Sequence, residues 1–545
     1  MKNRDEIKQQ IKSMSEDELV DLYIKSKENE AQMKWYREQL ILLNKNRYSS
    51  KSEKEFSGQL NLFNEVEDIY DHNEETNDDV NNKDEAENKQ HGEKGKPKKK
   101  KEADFSRLPK RIIEHPLENE YCEICGTKLK ELAPTIIDVL KYQPARFYIE
   151  RHIIHNGICP TCTDENLEAE IIVAPGAPKR LIKGSKVSSS VVSGIIFEKY
   201  VNGTPLYRQE QELKRKKIEI SRGTMSNWLM NCARQLEPLY DLMLEKLRSQ
   251  EMIHADETTL TVLEDKKESD RQKSYMWLIA SGIYEEEKLV YYSYHESREH
   301  DHIKELLGED AKNGVHSDGY DAYHKLSGIT NYGCVAHMRR KFKEALEVNP
   351  MHKEGKKLSG KALEEFCKVH ESYGIVRHII DEIKRLYKEE KDYKEKKYDP
   401  EMIKKERQEV QKPILDDLFE YIEEHQNEFS EKSKMGVAMT YALNQKEYLK
   451  NYLTNGKAEI DNNRGERFIK PFVIGRKNWL FSKTKSGAKM SAIYYSIIES
   501  AKENHLDIYG YLGYILEEIQ EQEEDVDYEQ LLPCNPGLPE KLKVK

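Results

Sequence analysis

The feature that most limits the possible folds is a run of strand-like segments that begins after Glu251. Alternating or β-branched apolar patterns cover residues 252–263, 275–283 and 288–294, and shorter ones cover 315–317 and 331–335. The first three follow one another directly, whereas short helical patterns separate the later ones. A strand meander followed by alternating β and α segments predicts one sheet covered by helices. We therefore expect a ribonuclease-H-like α/β core within a multidomain α+β chain.

Two aspartates lie in this predicted sheet. Asp256 is inside the first strand, in the run HADET, and Asp318 follows a later strand, in the run SDGY. Two ionised carboxylates buried near each other are costly unless a cation compensates them. Mg²⁺ or Mn²⁺ suits such a site, because two ions about 3.5–4 Å apart can hold both oxygens of a phosphoryl transfer. Either aspartate alone would be an ordinary turn or edge residue.

A third carboxylate is indicated by an imbalance of charge towards the C-terminus. Between Arg464 and Lys489, eight basic residues accompany a single acid, Glu466. Asn463 lies three residues before Glu466 and Lys470 four after it, so one helical face can hold a metal and a phosphate together.

Two other acids compete with Glu466 for this role. Glu459 and Asp461 precede the pair Asn462-Asn463, which favours a helix cap. We expect both acids on the approach to the helix rather than on its inner face.

The intervals between the three carboxylates are unequal. Asp318 follows Asp256 by 62 residues, and Glu466 follows Asp318 by 148. The second interval is too long for a bare core of this class, so an inserted helical domain is expected at residues 343–450.

Four of the eight cysteines form two CxxC pairs with 33 residues between them. Four thiolates can close a tetrahedral site, which predicts a structural Zn²⁺ rather than a catalytic one. Strand-like alternation over residues 136–154 would place the pairs at one end of a hairpin, as in a zinc ribbon. The predicted ligands are Cys122, Cys125, Cys159 and Cys162.

Residues 178–234 carry twelve basic side chains against four glutamates, although the whole chain has a net charge of −11. A local excess of this kind is typical of a phosphate-binding surface. A helix is predicted over 207–216, with Lys214 and Lys216 available to DNA phosphates. The remaining basic residues in this segment are Lys179, Arg180, Lys183, Lys186, Lys199, Arg208, Arg215, Lys217, Arg222 and Arg234.

A second helix is predicted to open at Ser221, a favourable N-cap, and to run through Cys232. Its buried face would contain Met225, Trp228, Leu229 and Cys232. The pair of helices predicts a helix-turn-helix, and a basic helical hairpin packed on the next domain is the alternative. The side chains left to contact DNA are Arg222, Thr224, Ser226 and Asn227.

The N-terminal segment predicts a dimerisation helix. Residues 15–18 read as a capping box, and apolar heptad positions continue to residue 43, interrupted by Ser26 and Asn29. An amphipathic helix packed on its own chain is the alternative. The acidic, then basic, residues that follow predict a linker.

The composition excludes some classes of protein. The N-terminus has no apolar signal core, and the apolar run at 276–284 is much shorter than the roughly 20 residues that span a bilayer. A cytoplasmic protein without membrane contact is expected. None of the 32 tyrosines stands in a setting that indicates a covalent recombinase.

Across nearly its whole length the sequence resembles the DDE transposases of the insertion-sequence-sixty-six family. The resemblance rests on HADET, on SDGY, on CVAHMRRKF at 334–342, and above all on DNNRGER at 461–467 running into IGRKNWLF at 474–481. The N-terminal helix, the run QLNLF at 59–63, the cysteine pairs and the tail also fit the family's layout.

The resemblance implies a transposase that binds the terminal inverted repeats of its element and a target DNA, with Asp256, Asp318 and Glu466 as the metal-binding triad. Accessory proteins encoded by the same element often accompany enzymes of this family. The N-terminal heptads predict a homodimer or higher oligomer, and DNA binding predicts association with the nucleoid. Cys334 and His337 form a CxxH within the family's motif, for which we expect local packing and no metal. Further DNA contacts are expected from Lys470, Arg476, Lys477 and Trp479, although Trp479 is equally compatible with a core position.

Two alternatives remain, a DNA-binding regulator without catalysis and an inactive relative of the family. All three carboxylates are present, so nothing in the sequence supports loss of activity. The predicted domains are an N-terminal coiled coil (1–50), a linker (51–110), a zinc-binding module (111–176), a helix-turn-helix domain (177–240), a core in two parts (250–342 and 451–500), a helical insertion (343–450) and a tail (501–545).

Overall fold

A computed structural model describes residues 178–266, 273–523 and 525–544, residues 147–153, 156–157 and 172–173, and scattered positions between 14 and 41. The chain divides into two compact units, one of residues 72–178 and one of the rest. The four cysteines of the predicted zinc site and the predicted linker lie outside the described residues.

In the smaller unit the described residues include one short antiparallel pair. The strands are β1, Asn156–Gly157, and β2, Ile172–Val173, with Asn156 opposite Val173. The alternation that predicts a strand over 136–154 is wrong for residues 147–153, which form no strand. Tyr148 and Ile149 are exposed there, so within the described part of the chain these side chains do not pack on an apolar surface.

The predicted capping box opens the N-terminal helix. The Ser15 amide donates to Glu18 Oε2 at 2.8 Å, and the Glu18 amide donates to Ser15 Oγ at 3.3 Å. Each side chain thus satisfies an amide that the first helical turn leaves without a partner. This prediction is confirmed.

A five-stranded mixed sheet lies at the centre of the larger unit. Its strands are β3, Met252–Leu260; β4, Ser274–Ser281; β5, Val290–His295; β6, Gly314–Ser317; and β7, Thr330–Gly333. The order is β5-β4-β3-β6-β7, in which β3, β4 and β5 are antiparallel neighbours and β6 and β7 run parallel to β3. The predicted meander and the two later strands are confirmed, with ends shifted by up to three residues.

The helices before the sheet are α1, Ser189–Tyr200; α2, Leu206–Arg215; and α3, Arg222–Arg248. The predicted helices over 207–216 and from Ser221 are confirmed, but α3 continues far beyond Cys232. Met225, Leu229 and Cys232 are buried as predicted, and Trp228 is half-buried. The extension buries Leu236, Leu239, Met243 and Leu247, so α3 crosses residue 240 without a break.

The remaining α-helices are α4, Leu263–Lys266; α5, His300–Leu307; α6, Asp321–His324; α7, Val335–Val348; α8, His352–Gly355; α9, Gly360–Val369; α10, Glu371–Glu395; α11, Pro400–Glu406; α12, Lys412–His425; α13, Lys434–Asn444; α14, Lys446–Lys450; α15, Asn463–Trp479; α16, Lys485–Glu503; α17, Ile508–Gln522; and α18, Tyr528–Leu531. A π-helical turn, Arg407–Gln411, joins α11 to α12. Within the described segments, no helix is long and apolar enough to cross a membrane.

Two hydrophobic cores organise these elements. The first joins α1–α3, the strands β3–β5 and the helices α15–α17. The second joins α7, α10 and α12–α14 beside β7, so most of the segment predicted to be a helical insertion packs around its own core. Helix α16 also provides hydrogen-bond acceptors for the edge strand β5. Ser496 Oγ and Ser500 Oγ each accept a hydrogen bond from a β5 amide at 2.8 Å.

Candidate active site

The register of the sheet places the two predicted aspartates side by side. His254 of β3 pairs with His316 of the parallel strand β6. Asp256 and Asp318 each lie two residues further on, at the same end of neighbouring strands. The side chain of Asp256 accepts a hydrogen bond from the Glu257 amide at 2.8 Å, and that of Asp318 accepts one from the Tyr320 amide at 3.0 Å.

The other two predicted carboxylates both affect the pKa of Asp256. Burial raises the pKa of Asp256 well above its ordinary value, and the nearby carboxylates of Glu257, Asp318 and Glu466 raise it further. Asp256 and Asp318 lie at one end of the sheet, and Asn462, just before α15, donates from Nδ2 to the Ala255 carbonyl of β3 at 2.9 Å. The three carboxylates are therefore near one another, although among the described residues their oxygens are not all within 4.8 Å of each other. An all-carboxylate donor set of this kind fits a hard divalent cation such as Mg²⁺, whose charge would relieve the repulsion.

Glu466 lies in the first turn of α15 and is only 3% exposed. Its neighbours come from α7, where Arg340 Nη2 lies 3.2 Å and His337 Nδ1 3.5 Å from Glu466 Oε1. A buried carboxylate needs such a partner, because an unpaired buried charge is costly. The sequence motif around residues 334–342 thus supplies the groups that surround the third carboxylate.

Cys334 begins the same motif and is fully buried. Its Sγ accepts a hydrogen bond from the Asn462 amide at 3.2 Å, which agrees with the local packing predicted for it. One potential ligand atom each from Cys334, His337 and Glu466 also lies within 4.8 Å of the others, a proximity that the sequence does not predict.

The competing acid Glu459 has a different partner. Its Oε2 lies 2.7 Å from His254 Nε2, and His254 Nδ1 lies 2.8 Å from Asn462 Oδ1. Burial acts to raise the pKa of Glu459, but the contact with His254, together with His316 and Arg464, outweighs it and lowers the pKa to about 2.

The other competitor, Asp461, is held by hydrogen bonds. Tyr387 Oη donates to Asp461 Oδ2 at 2.8 Å, and the Asn463 amide donates to Oδ1 at 3.1 Å. Burial raises its pKa to about 6 despite these bonds. Both competitors precede α15, as predicted from Asn462-Asn463.

Three further side chains at the site are not predicted from the sequence. Arg298 Nε donates to Glu257 Oε1 at 2.7 Å, and Tyr323 Oη donates to Glu257 Oε2 at 2.6 Å. Arg298 Nη2 also lies 4.0 Å from Asp318 Oδ2. The sequence feature that could indicate these side chains is the acidic pair Asp256-Glu257. Adjacent residues of a strand lie on opposite faces of the sheet, so two buried acids there need a cation on each face.

The basic residues after Glu466 have different environments. Arg476 Nη1 donates to the hydroxyls of Thr258 and Thr259 at 3.3 and 3.2 Å, beside the end of β3, and burial lowers its pKa. Lys470 is half-buried and Lys477 is exposed. Trp479 packs on the first core, with its ring centroid 6.2 Å from those of Tyr200 and Tyr495, which favours a core role over base stacking.

The predicted recognition helix α3 has a capped and accessible start. Ser221 Oγ accepts the Thr224 amide at 3.1 Å. The side chains of Arg222, Thr224 and Asn227 are exposed, and Ser226 is half-buried. The preceding helix α2 exposes Lys214, and Lys216 follows it directly; their Nζ atoms lie 3.6 and 3.5 Å from the carboxylates of Glu210 and Glu212.

Comparison with known proteins identifies relatives of the chain. The family described as "Transposase IS66 family" matches residues 184–490, more than half of the 545 residues, and "IS66 C-terminal element" matches residues 496–534. The uncharacterized protein y4qI of Sinorhizobium fredii (strain NBRC 101917 / NGR234) is 30% identical over 381 residues, 67% of this chain and 65% of that protein. The uncharacterized protein y4jD of the same organism is 28% identical over 449 residues, 78% of this chain and 81% of that protein.

Proposed function

The chain belongs to the IS66 family of transposases, and on that premise we propose that it binds the terminal repeats of its element and catalyses metal-dependent DNA strand cleavage and strand transfer. Membership of the family implies transposition. The substrate, the chemical steps and the residue roles below are our proposal.

One observation carries the proposal, namely the convergence of Asp256, Asp318 and Glu466. Burial, and then repulsion by Glu257, Asp318 and Glu466, raises the pKa of Asp256, so the charged form is unfavourable in the protein alone. Perturbed carboxylates of this kind concentrate at functional sites. The strand order β5-β4-β3-β6-β7, with its antiparallel meander and two parallel strands, supports assignment of the core to the ribonuclease-H-like class.

The three carboxylates would hold the metal ions. When bound, Mg²⁺ or Mn²⁺ supplies activation of a water or a DNA 3′-hydroxyl and stabilisation of the leaving oxygen. The sheet fixes the backbone at Asp256 and Asp318, and α15 fixes it at Glu466, so side-chain rotations would bring their oxygens to the ions. Arg340 neutralises Glu466 in the absence of metal, and Arg298 neutralises Glu257 beside the site.

Basic side chains from two parts of the chain, one before the sheet and one in α15, would hold the DNA. We assign phosphate contacts to Lys214 and Lys216, in and just after α2, and to Lys470, Arg476 and Lys477 of α15. The exposed start of α3 would read base edges through Arg222, Thr224, Ser226 and Asn227, as the second helix of a helix-turn-helix.

Other parts of the proposal rest on the sequence. Paired CxxC spacing supports a structural zinc at Cys122, Cys125, Cys159 and Cys162. The N-terminal heptads support a homodimer or higher oligomer, and the family resemblance supports accessory proteins and a place on the nucleoid.

The deciding experiment incubates the purified protein with end-labelled terminal-repeat DNA and Mg²⁺. A transposase yields nicks at the element ends and joined products when target DNA is present. Asp256→Asn should bind the same DNA without cutting it. Binding without cleavage by the native protein in Mg²⁺ and in Mn²⁺ would instead favour a DNA-binding regulator.

A further inference from the structure

A second group of metal-ligating side chains lies outside the carboxylate site. His295 ends strand β5, and His302 and Glu305 lie one turn apart on α5. One potential ligand atom from each lies within 4.8 Å of the others, and the two imidazole centroids are 4.4 Å apart. We propose that His295, His302 and Glu305 bind a zinc ion that ties the end of β5 to α5.

Each imidazole has a serine hydroxyl beside its Nε2 atom. His295 Nε2 lies 3.0 Å from Ser293 Oγ, and His302 Nε2 lies 2.8 Å from Ser297 Oγ. A serine hydroxyl can accept the Nε2–H, and this tautomer carries its lone pair on Nδ1. In this tautomer each ring would offer Nδ1 to the metal while the serine limits the rotation of the ring.

One cation lies near this group, because Lys489 is among the charges that act on His295. Lys489 would repel the bound cation, but it is exposed and screened by water, and the Glu305 carboxylate supplies the opposite charge.

Two imidazoles and one carboxylate form a donor set typical of zinc, with water in the fourth position. Zinc bonds of about 2.0–2.1 Å place tetrahedral ligands about 3.3 Å apart, so the side chains must close by up to about 1.5 Å. Exposed Glu305 can make most of this movement by a change of rotamer. Helix α5 itself is held, because Arg248 donates to the carbonyls of Glu305 and Leu306 at 2.7 and 2.9 Å.

Because of where this group lies, a zinc ion bound there would affect the active site. Residues 296–299 connect His295 to α5, and they include Arg298, which binds Glu257 and lies near Asp318. Tyr320 Oη donates to the Arg298 carbonyl at 2.7 Å, and the guanidinium lies 3.7 Å from the Tyr320 ring centroid. A metal that holds both ends of the connection would limit the positions open to Arg298. Only this last step rests on the proposed function.

The test measures zinc per protomer by elemental analysis and zinc affinity by competition with a chromophoric chelator. His302→Asn should contain about one zinc fewer than the native protein. Glu305→Gln changes an exposed side chain and should leave the fold intact. It should weaken zinc binding at least about tenfold, because even the removal of a group that only supports a ligand causes a loss of that size. His300→Asn, on the same helix, is the matched control and should keep the native zinc content.

The same measurements in a Cys122→Ser/Cys159→Ser background separate this site from the predicted cysteine site. The loss of zinc caused by His302→Asn should persist there, and added zinc should slow amide hydrogen exchange at residues 296–299 only when His302 is present. Equal zinc content and affinity in all four proteins would overturn the proposal, as would loss of the effect of His302→Asn in the cysteine-free background. Neither readout requires DNA cleavage, so the result is independent of the proposed catalysis.

Discussion

At Glu466 a single change of charge tests the assignment of the triad. Glu466→Gln keeps the shape and can still accept a hydrogen bond from Arg340, but it loses the charge that would hold a metal. We expect this variant to fold and to bind terminal-repeat DNA, because loss of repulsion from Asp256 offsets part of the lost attraction to Arg340. Cleavage and joining of labelled ends should fall at least about a thousandfold, as when one essential group of a catalytic unit is removed.

Glu499→Gln is the matched control for Glu466→Gln. Glu499 is also a buried helical glutamate, 4% exposed, and it is paired with Lys502 at 2.6 Å. It should retain cleavage. If Glu466→Gln cuts DNA at a near-native rate while Glu459→Gln does not, the third ligand lies upstream of α15.

Glu459 should contribute to stability in a way that depends on pH. Its pKa falls from 4.5 to about 2 on folding, so its contribution is complete above pH 4.5 and is lost as the pH falls through 2. The shift corresponds to about 3 kcal/mol, since one pKa unit is about 1.4 kcal/mol. We expect Glu459→Gln to lower the Tm at pH 7 and the gap from the native protein to narrow between pH 4.5 and 2.

The control for this measurement is Glu251→Gln. Glu251 is also paired with a cation, Lys457, but about half of its side chain is exposed, so the pair should contribute little. A Tm gap for Glu459→Gln that stays constant down to pH 2 would contradict the role given to the contact with His254.

The sequence predicts the acids of the site better than their partners. Asp256, Asp318 and Glu466 stand out because a strand or a basic run makes each of them unusual locally. Arg298 and Glu257 are 41 residues apart, and only the packing of the loop after β5 brings them together. The same holds for Arg340 and Glu466, which are 126 residues apart.

Helix α3 allows a test of DNA reading at the scale of an element. Asn227→Ala should relax sequence preference by about 1–3 kcal/mol between cognate and mismatched sites, because Asn227 is exposed near the start of the helix. Lys214→Ala or Lys216→Ala should weaken binding to all sequences and reduce the salt slope by about 1. Binding titrations at several salt concentrations measure both effects.

Arg234→Ala serves as the control on α3. Arg234 is an exposed cation about 18 Å along the axis from Arg222. If the start of the helix enters the groove, Arg234→Ala should change sequence preference little. Equal effects of Asn227→Ala and Lys214→Ala on every sequence would argue against a recognition helix.

Local signals predict where elements begin, and distant contacts decide where they end. The hydroxyl of Ser221 and the period of Met225 and Leu229 suffice to place the start of α3. Its last 16 residues bury Leu236, Leu239, Met243 and Leu247 in the first core, and Tyr240 Oη donates to the Tyr292 carbonyl of β5 at 2.6 Å. Residues 147–153 show the opposite error, since their alternation meets no matching apolar surface among the described residues.

The N-terminal helix offers a surface through which copies of the chain can associate. Met33, Tyr36 and Leu40 are 58%, 51% and 59% exposed in the single chain, and they follow one another at helical spacing. This exposure argues against an amphipathic helix packed on its own chain at those positions. A second copy of the helix would bury them, at about 1.5–3 kcal/mol for each large apolar side chain.

We therefore expect Met33→Lys/Leu40→Lys to convert an oligomer into monomers in sedimentation velocity experiments. Ala31→Lys is the control, because position 31 of the heptad pattern lies on the side of the helix away from the apolar positions, and the added charge should leave the oligomer intact. The monomer should keep its triad and nick single ends, but it should lose joining of paired ends, since pairing two ends requires two active sites held together. An unchanged sedimentation coefficient for the double variant would show that the oligomer forms through another surface.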